Sequence, residues 1–144
     1  DCSVSDNFKY YPYFKEWCDN QIGFNVLDDK GKTFALDKDI LVKGNKVYSE
    51  YTCCFVPPEI NSLITRYTKN SSTCKGVYYN TKLGKFSAHL LGKYIGLFAT
   101  EIEAFYAYKE AKETYIKEVA NKWKDKIDPR VYEALMAWAI SIDD

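Results

Sequence analysis

Residues 76–111 read GVYYNTKLGKFSAHLLGKYIGLFATEIEAFYAYKEA, and their hydrophobic period changes half way. Up to residue 98 the pattern has the two-residue repeat of short strands. In 85–91, Phe86, Ala88 and Leu90 alternate with Ser87, His89 and Leu91, so each set takes one face of a strand. Strands are predicted over 76–79, 85–91 and 94–98, with a turn at Gly92-Lys93, which makes a small antiparallel meander. Thr100-Glu101-Ile102-Glu103 then has the Ser/Thr-x-x-Glu form of a capping box. A long helix is predicted from there to about residue 126. Its apolar stripe is Ala104, Tyr108, Ala111, Tyr115, Val119 and Trp123, and Glu113–Lys117 and Glu118–Lys122 are spaced as i,i+4 ion pairs.

On the N-terminal side, 10–22 carries Tyr13, Phe14, Trp17 and Cys18 at helical spacing, with Pro12 near its start and Gly23 as a stop. Asp28-Asp29-Lys30-Gly31 reads as a turn, 33–42 as a strand and Lys43-Gly44-Asn45-Lys46 as the next turn. A second strand is predicted at 52–56. Pro57-Pro58 ends it, and a helix follows over 59–68. The polar run Asn70-Ser71-Ser72-Thr73 is the best internal boundary, which divides the chain into 1–70 and 71–144. Asp128-Pro129 caps a last helix that holds Tyr132, Leu135, Met136 and Trp138. The expected class is α+β: a helix, a two-strand-and-helix unit, a three-stranded antiparallel sheet packed on a long helix, and a C-terminal helix.

Composition narrows the function classes. With 144 residues, 47% of them hydrophobic, the chain is long enough for one domain or two small units and too apolar to be disordered. No apolar run approaches the roughly 20 residues of a bilayer span, so no membrane partner is expected. No charged-then-apolar leader follows Asp1, so no signal peptide is expected. The five cysteines are odd in number, lack a C-x-x-C pair and include the adjacent Cys53 and Cys54. That reads as reduced, mostly buried thiols in a cytoplasmic protein rather than a disulfide frame or zinc site.

Twenty basic residues balance twenty acidic ones, but unevenly. Residues 1–60 hold seven basic against ten acidic groups, and residues 101–144 hold the same numbers. Residues 61–100 hold six basic groups (Arg66, Lys69, Lys75, Lys82, Lys85, Lys93) and no Asp or Glu. A basic middle of this kind is a candidate footprint for a phosphate backbone, because local field steers binding more than net charge does. Composition alone fits better a stretch that packs between the two acidic flanks and is neutralised by them.

Two stretches carry a family resemblance. Residues 36–61, LDKDILVKGNKVYSEYTCCFVPPEIN, resemble the core of phage and prophage HNH-type (ββα-metal) homing-endonuclease-like proteins. The opening Gly-Val, the Lys-aromatic-x-Ala strand and the Thr-x-Glu-x-Ala helix of 76–111 resemble the APETALA-type (ethylene-response-factor-like) DNA-binding domain. The first resemblance implies a degenerate HNH centre. Asp37 and Asn61 would hold magnesium or manganese, and Lys38 and Asp39 would stand where the chemistry needs a base. Lys38 occupies the place of the general-base histidine, and Thr52 that of the orienting asparagine. The chain's single histidine, His89, lies in the other module. A lysine with an ordinary pKa near 10.4 is a poor base at pH 7.

The second resemblance implies double-stranded DNA met by one face of the sheet. The matching contact positions are Tyr78, Asn80, Lys85, His89, Leu91, Lys93 and Tyr94. Lys82, Lys85 and Lys93 would neutralise phosphates from one pleated surface, and Asn80 would read an adenine edge. The expected function is thus that of a phage DNA-binding protein derived from an HNH homing endonuclease, located in the host cytoplasm. Two alternatives stand beside it. One is a magnesium- or manganese-dependent endonuclease or nickase. The other is a protein-binding phage inhibitor, a counter-defence factor suited by the surplus tyrosines.

Overall fold

A computed structural model of the chain describes residues 1–64 and 73–144. Contacts group the chain into two units: Asp1–Thr65 with Val119–Ala137, and Arg66–Glu118 with Trp138–Asp144. The division expected at residue 70, the run Asn70-Ser71-Ser72 and the predicted helix beyond Ile64 lie outside the described residues. The end of the long helix and the last helix group with the N-terminal segment. A cut at one point in sequence does not capture that arrangement.

In the first unit, strand β1 (Ser3–Val4) leads into helix α1 (Asp6–Lys9) and helix α2 (Tyr11–Asp19). The single helix expected over 10–22 is therefore two, with Tyr10 extended between them. Pro12 has no N–H to donate back to Phe8, so a helix begun at Asp6 cannot run through it. Ser5 caps α1 through its Oγ, and Asn20, not Gly23, ends α2. Phe8, Phe14 and Trp17 from these helices meet Phe55 in an aromatic cluster with edge and tilted ring contacts.

Strand β2 (Ala35–Asp37) is three residues long instead of the ten predicted over 33–42. Asp37 ends it: its Oδ2 accepts from the backbone N–H groups of Asp39 and Ile40, both at 2.8 Å, so the chain turns there. Asn45 then braces the next turn by donating to the Lys38 and Val47 carbonyls. Strand β3 (Val47–Tyr48) lies parallel to β1, and strand β4 (Cys54–Val56) pairs antiparallel with β2, Asp37 opposite Cys54. Helix α3 (Pro58–Ile64) follows at once and buries Ile60, Leu63 and Ile64.

In the second unit, strands β5 (Val77–Asn80), β6 (Lys85–Leu90) and β7 (Lys93–Phe98) form the meander in the order β5-β6-β7, all antiparallel. Helix α4 (Glu101–Trp123) begins with the expected cap, the Glu103 N–H donating to Thr100 Oγ1 at 3.2 Å. Its Ala104, Phe105 and Tyr108 join Cys74, Val77 and Ala88 in the core of this unit. The i,i+4 pairs read from the sequence are not the ones formed. Glu113 pairs with Lys109 and accepts from the Ile140 N–H, while Lys122 donates to Glu59 at 2.8 Å. A partner held by the fold is a better one than a flexible neighbour on an exposed helix face.

Helix α5 (Pro129–Met136) starts as predicted, Asp128 Oδ1 accepting from the Arg130 N–H. Trp138 lies beyond its end. Four of the five cysteines are buried, Cys2 is exposed, and no disulfide joins any of them. Among the described residues the architecture is mixed helix and sheet, the α+β class, and no helix is long and apolar enough to cross a membrane.

Candidate nucleic-acid interface

The β5–β6–β7 sheet has two chemically different faces, and the register sorts the residues between them. Val77 faces Ala88, Tyr79 faces Phe86, and Phe86 faces Phe98; Val77, Phe86, Ala88 and Phe98 belong to the buried side. The alternate positions point outward: Tyr78 opposite Ser87, Asn80 opposite Lys85, Ser87 opposite Leu97 and His89 opposite Tyr94. Five of the sequence-derived contact residues (Tyr78, Asn80, Lys85, His89 and Tyr94) therefore share the outer face.

An irregularity in β7 decides one of them. Ala88 pairs with Gly96 while its neighbour His89 pairs with Tyr94, which leaves Ile95 as an extra residue. Ile95 packs on the core side. Strict alternation from Phe98 would send Tyr94 inward; the bulge turns it out beside His89.

The outer face is organised around His89. Its ring meets Tyr78 edge-on at 5.3 Å between centroids and Tyr94 at 5.6 Å, so three rings cross the three strands in a row. Nε2 of His89 lies 3.1 Å from Ser87 Oγ, and that hydroxyl donates to the Tyr78 carbonyl at 3.3 Å. Tyr78 and Tyr94 remain 57% and 63% exposed, so flat π-surfaces are presented to solvent rather than spent in the core. Ser87 was visible in the alternation of 85–91 but carries no charge or ring to draw notice, and it is what orients the imidazole.

The lysines do not make the single patch expected of them. Lys85 is on the outer face, Lys82 sits in the turn before it, and Lys93 lies at the opposite end of β6. There Lys93 pairs with Leu90, on the side of the sheet that packs on the core. β6 is six residues long, so the two ends are roughly 20 Å apart. All three are exposed, and none forms an ion pair with a described carboxylate. Asn80 is committed locally, its Oδ1 accepting from the N–H groups of Lys82 and Leu83 to close the turn. A bidentate grip on adenine would need that oxygen. Leu91 lies in the two-residue turn between β6 and β7 at φ +52°.

In the first unit, Asp37 is buried and Asp39 and Lys38 are half-buried beside it. Burial pushes the Asp37 carboxyl up to about 6 against the pull of its two backbone N–H donors. Lys38 Nζ lies 3.7 Å from Asp39 Oδ2 and 5.6 Å from the Tyr48 ring centre, so its charge is balanced within the chain. Asn61 lies half-buried on α3, and Thr52 spends its hydroxyl on the Val47 carbonyl. Burial likewise raises the Cys53 and Cys54 thiols, which keeps them un-ionised. Among the described residues no group of three or more His, Cys, Asp or Glu side chains could hold a metal ion.

Comparison with protein families, with curated proteins and with solved structures finds no match to this chain.

Proposed function

We propose that this chain binds double-stranded DNA through the outer face of β5–β6–β7 and does not cut it. The single observation that carries the reading is the exposed row Tyr78–His89–Tyr94 with Lys85 on the same face and Lys82 in the adjoining turn. A three-stranded layer lying in a major groove about 12 Å wide would set such rings against base edges. Lys85 and Lys82 at one end of the row would then reach the phosphates. Residues 61–100 contain no acid to oppose that field.

The motif resemblance supplies the lineage: an HNH homing endonuclease of phage, with an APETALA-type module as its DNA-binding part. In the first unit the antiparallel pair β2–β4 followed by α3 has the strand, strand, helix order of a ββα unit. Its candidate centre favours binding over hydrolysis. One oxygen of Asp37 is taken by two backbone donors, and Lys38 is balanced by Asp39.

Electrophoretic mobility shift on random duplex tests the proposal. Binding is expected at low salt and is expected to weaken at least fivefold in Tyr94→Ala and in Lys85→Ala, since a stacked ring or a phosphate contact is worth about 1 kcal/mol or more. Absence of any shift at low salt overturns it. In parallel, supercoiled plasmid incubated with magnesium or manganese is expected to stay intact. Nicking by the protein but not by Asp37→Ala would restore the endonuclease.

A further inference from the structure

The first unit gathers rings and carboxylates on a surface that shares no residue with the outer face of the β5–β6–β7 sheet. Tyr13 is 36% exposed on α2, and Tyr51 is 80% exposed in the turn between β3 and β4. Tyr10 and Tyr11 stand exposed at the start of α2. Rings scattered singly need no account, but Tyr13 and Tyr51 flank a carboxylate that the fold holds in place.

That carboxylate is Glu50. Its Oε1 accepts from Asn7 Nδ2 at 2.8 Å and its Oε2 from Ser5 Oγ at 3.4 Å, which ties the β3–β4 turn to α1. Helix α1 is joined in turn to α2, because Phe8 meets Phe14 edge-on at 4.9 Å between centroids. Tyr13, next to Phe14, is thereby brought to Glu50 and Tyr51. Desolvation, then Glu50, Tyr51 and Glu16, raise the Tyr13 phenol, and no cation acts against them. The Asn7 donor above all holds the Glu50 carboxyl below the usual carboxylate range, so it is ionised at neutral pH. Among the described residues neither Glu50 nor Glu16 forms an ion pair.

Each carboxylate oxygen can accept two hydrogen bonds, so both Glu50 oxygens keep an open site after binding Asn7 and Ser5. Two parallel acceptors suit the fork of a guanidinium, and its flat face stacks on phenol rings. An ammonium is a point charge and matches neither feature as well. We propose that Glu50, Tyr13 and Tyr51 form a docking site for an arginine side chain of a partner protein, the fork on Glu50 and the rings against its face. Charge complementarity selects this occupant: carboxylates and π-faces attract a cation and turn away a phosphate backbone. Tyrosine and arginine are also the side chains that dominate protein interfaces. Of the chain's own arginines, Arg130 already grips Asp128, and Arg66 lies outside the described residues. The arginine is therefore assigned to a different protein, and the test includes a second copy of this chain.

The probe is the peptide acetyl-Gly-Gly-Arg-Gly-Gly-amide, titrated at millimolar concentration into the full chain and followed by proton NMR of the tyrosine rings. Counterparts with lysine or uncharged citrulline in place of arginine are run beside it. The arginine peptide is expected to bind about threefold or more tighter than the lysine peptide, and the citrulline peptide to leave the rings unmoved. Glu50→Gln is expected to weaken the arginine peptide about fivefold and Tyr51→Ala about threefold, the sizes of an exposed ion pair and an exposed cation–π contact. Gln keeps an acceptor for Asn7, and the Tyr51 ring is almost wholly in solvent, so both variants are expected to unfold at the wild-type temperature.

Equal binding of the arginine and citrulline peptides, binding of none, or unchanged affinity in both variants overturns the proposal. Lysine bound as tightly as arginine overturns the guanidinium as its ligand. Sedimentation that showed self-association lost in Glu50→Gln would give the face to a second copy and overturn the separate partner. Duplex shift is expected to be the same in Tyr51→Ala as in the wild type. A loss there would make this surface part of the DNA contact and overturn it as a protein site, whereas duplex binding absent from both proteins removes only the outer-face reading.

Discussion

Asp37 shows how one side chain can be read as chemistry and turn out to be placed for folding as well. Its Oδ2 closes the turn after β2 by accepting two backbone N–H groups, while the carboxyl is buried opposite Cys54. Its folded pKa is raised from 3.8 to about 6, so the folded chain holds this proton more tightly than the unfolded one. The stability this gives is complete below pH 3.8 and is lost as pH rises through 6. Two pH units correspond to about 3 kcal/mol. Asn keeps an acceptor for the two N–H groups and carries no charge. Asp37→Asn is therefore expected to raise stability by about 1–3 kcal/mol at pH 7 and by little at acidic pH, read by urea denaturation at both. A charged carboxylate essential to the turn would give the opposite sign at pH 7. At Gly76 the constraint is steric: any Cβ meets the Tyr108 ring, and φ is already +80°. Gly76→Ala is expected to cost about 3 kcal/mol or more, measured by thermal or urea unfolding, because overpacking and a left-handed backbone add.

At the scale of elements, the meander is the best-specified part of the chain, and its weak point is the second turn. Leu90 pairs directly with Lys93, which leaves Leu91-Gly92 as a two-residue loop with φ of +52° and +75°. Both signs are positive, as in a type I′ turn, where Asn or Gly belongs in the first position. Leu91 is 66% exposed, so little packing offsets the strain. Leu91→Asn is expected to stabilise the chain by about 0.5–1 kcal/mol in the same unfolding measurement; a loss would mean that the leucine is held by contacts beyond the turn. The alternation of 85–91 could be read directly from sequence, since a period of two admits only two assignments of faces and Phe86-x-Ala88-x-Leu90 selects one. The bulge in β7 could not. Whether Ile95 or Tyr94 turns inward depends on how β7 meets β6, and no local propensity records that. Strand β2 shrank for a related reason: Thr33, Phe34 and Leu36 look like strand residues, but an Asp that can bond the backbone ahead of it competes with the ladder.

For the whole molecule, zero net charge conceals a chain whose middle carries six cations and no anions between two acidic flanks. If Lys82 and Lys85 each meet a phosphate, the slope of log affinity against log salt is about −1.8, and affinity falls about 12-fold between roughly 50 and 200 mM salt. Lys85→Ala is expected to make that slope shallower by about one. A flat dependence would mean that the rings, or a protein partner, carry the binding.

Sequence alone determined the order of elements from β5 to α5, the capping residues Thr100 and Asp128, the turn at Gly92 and the face that each residue of β6 occupies. These follow from short-range sterics and from a period written into neighbouring residues. Tertiary structure decided which charges find each other, as with Glu59 drawing Lys122 away from Glu118, and which tyrosines stay wet. Such pairings arise only when distant segments pack, because the cost of burying a charge is set by whatever the fold brings beside it.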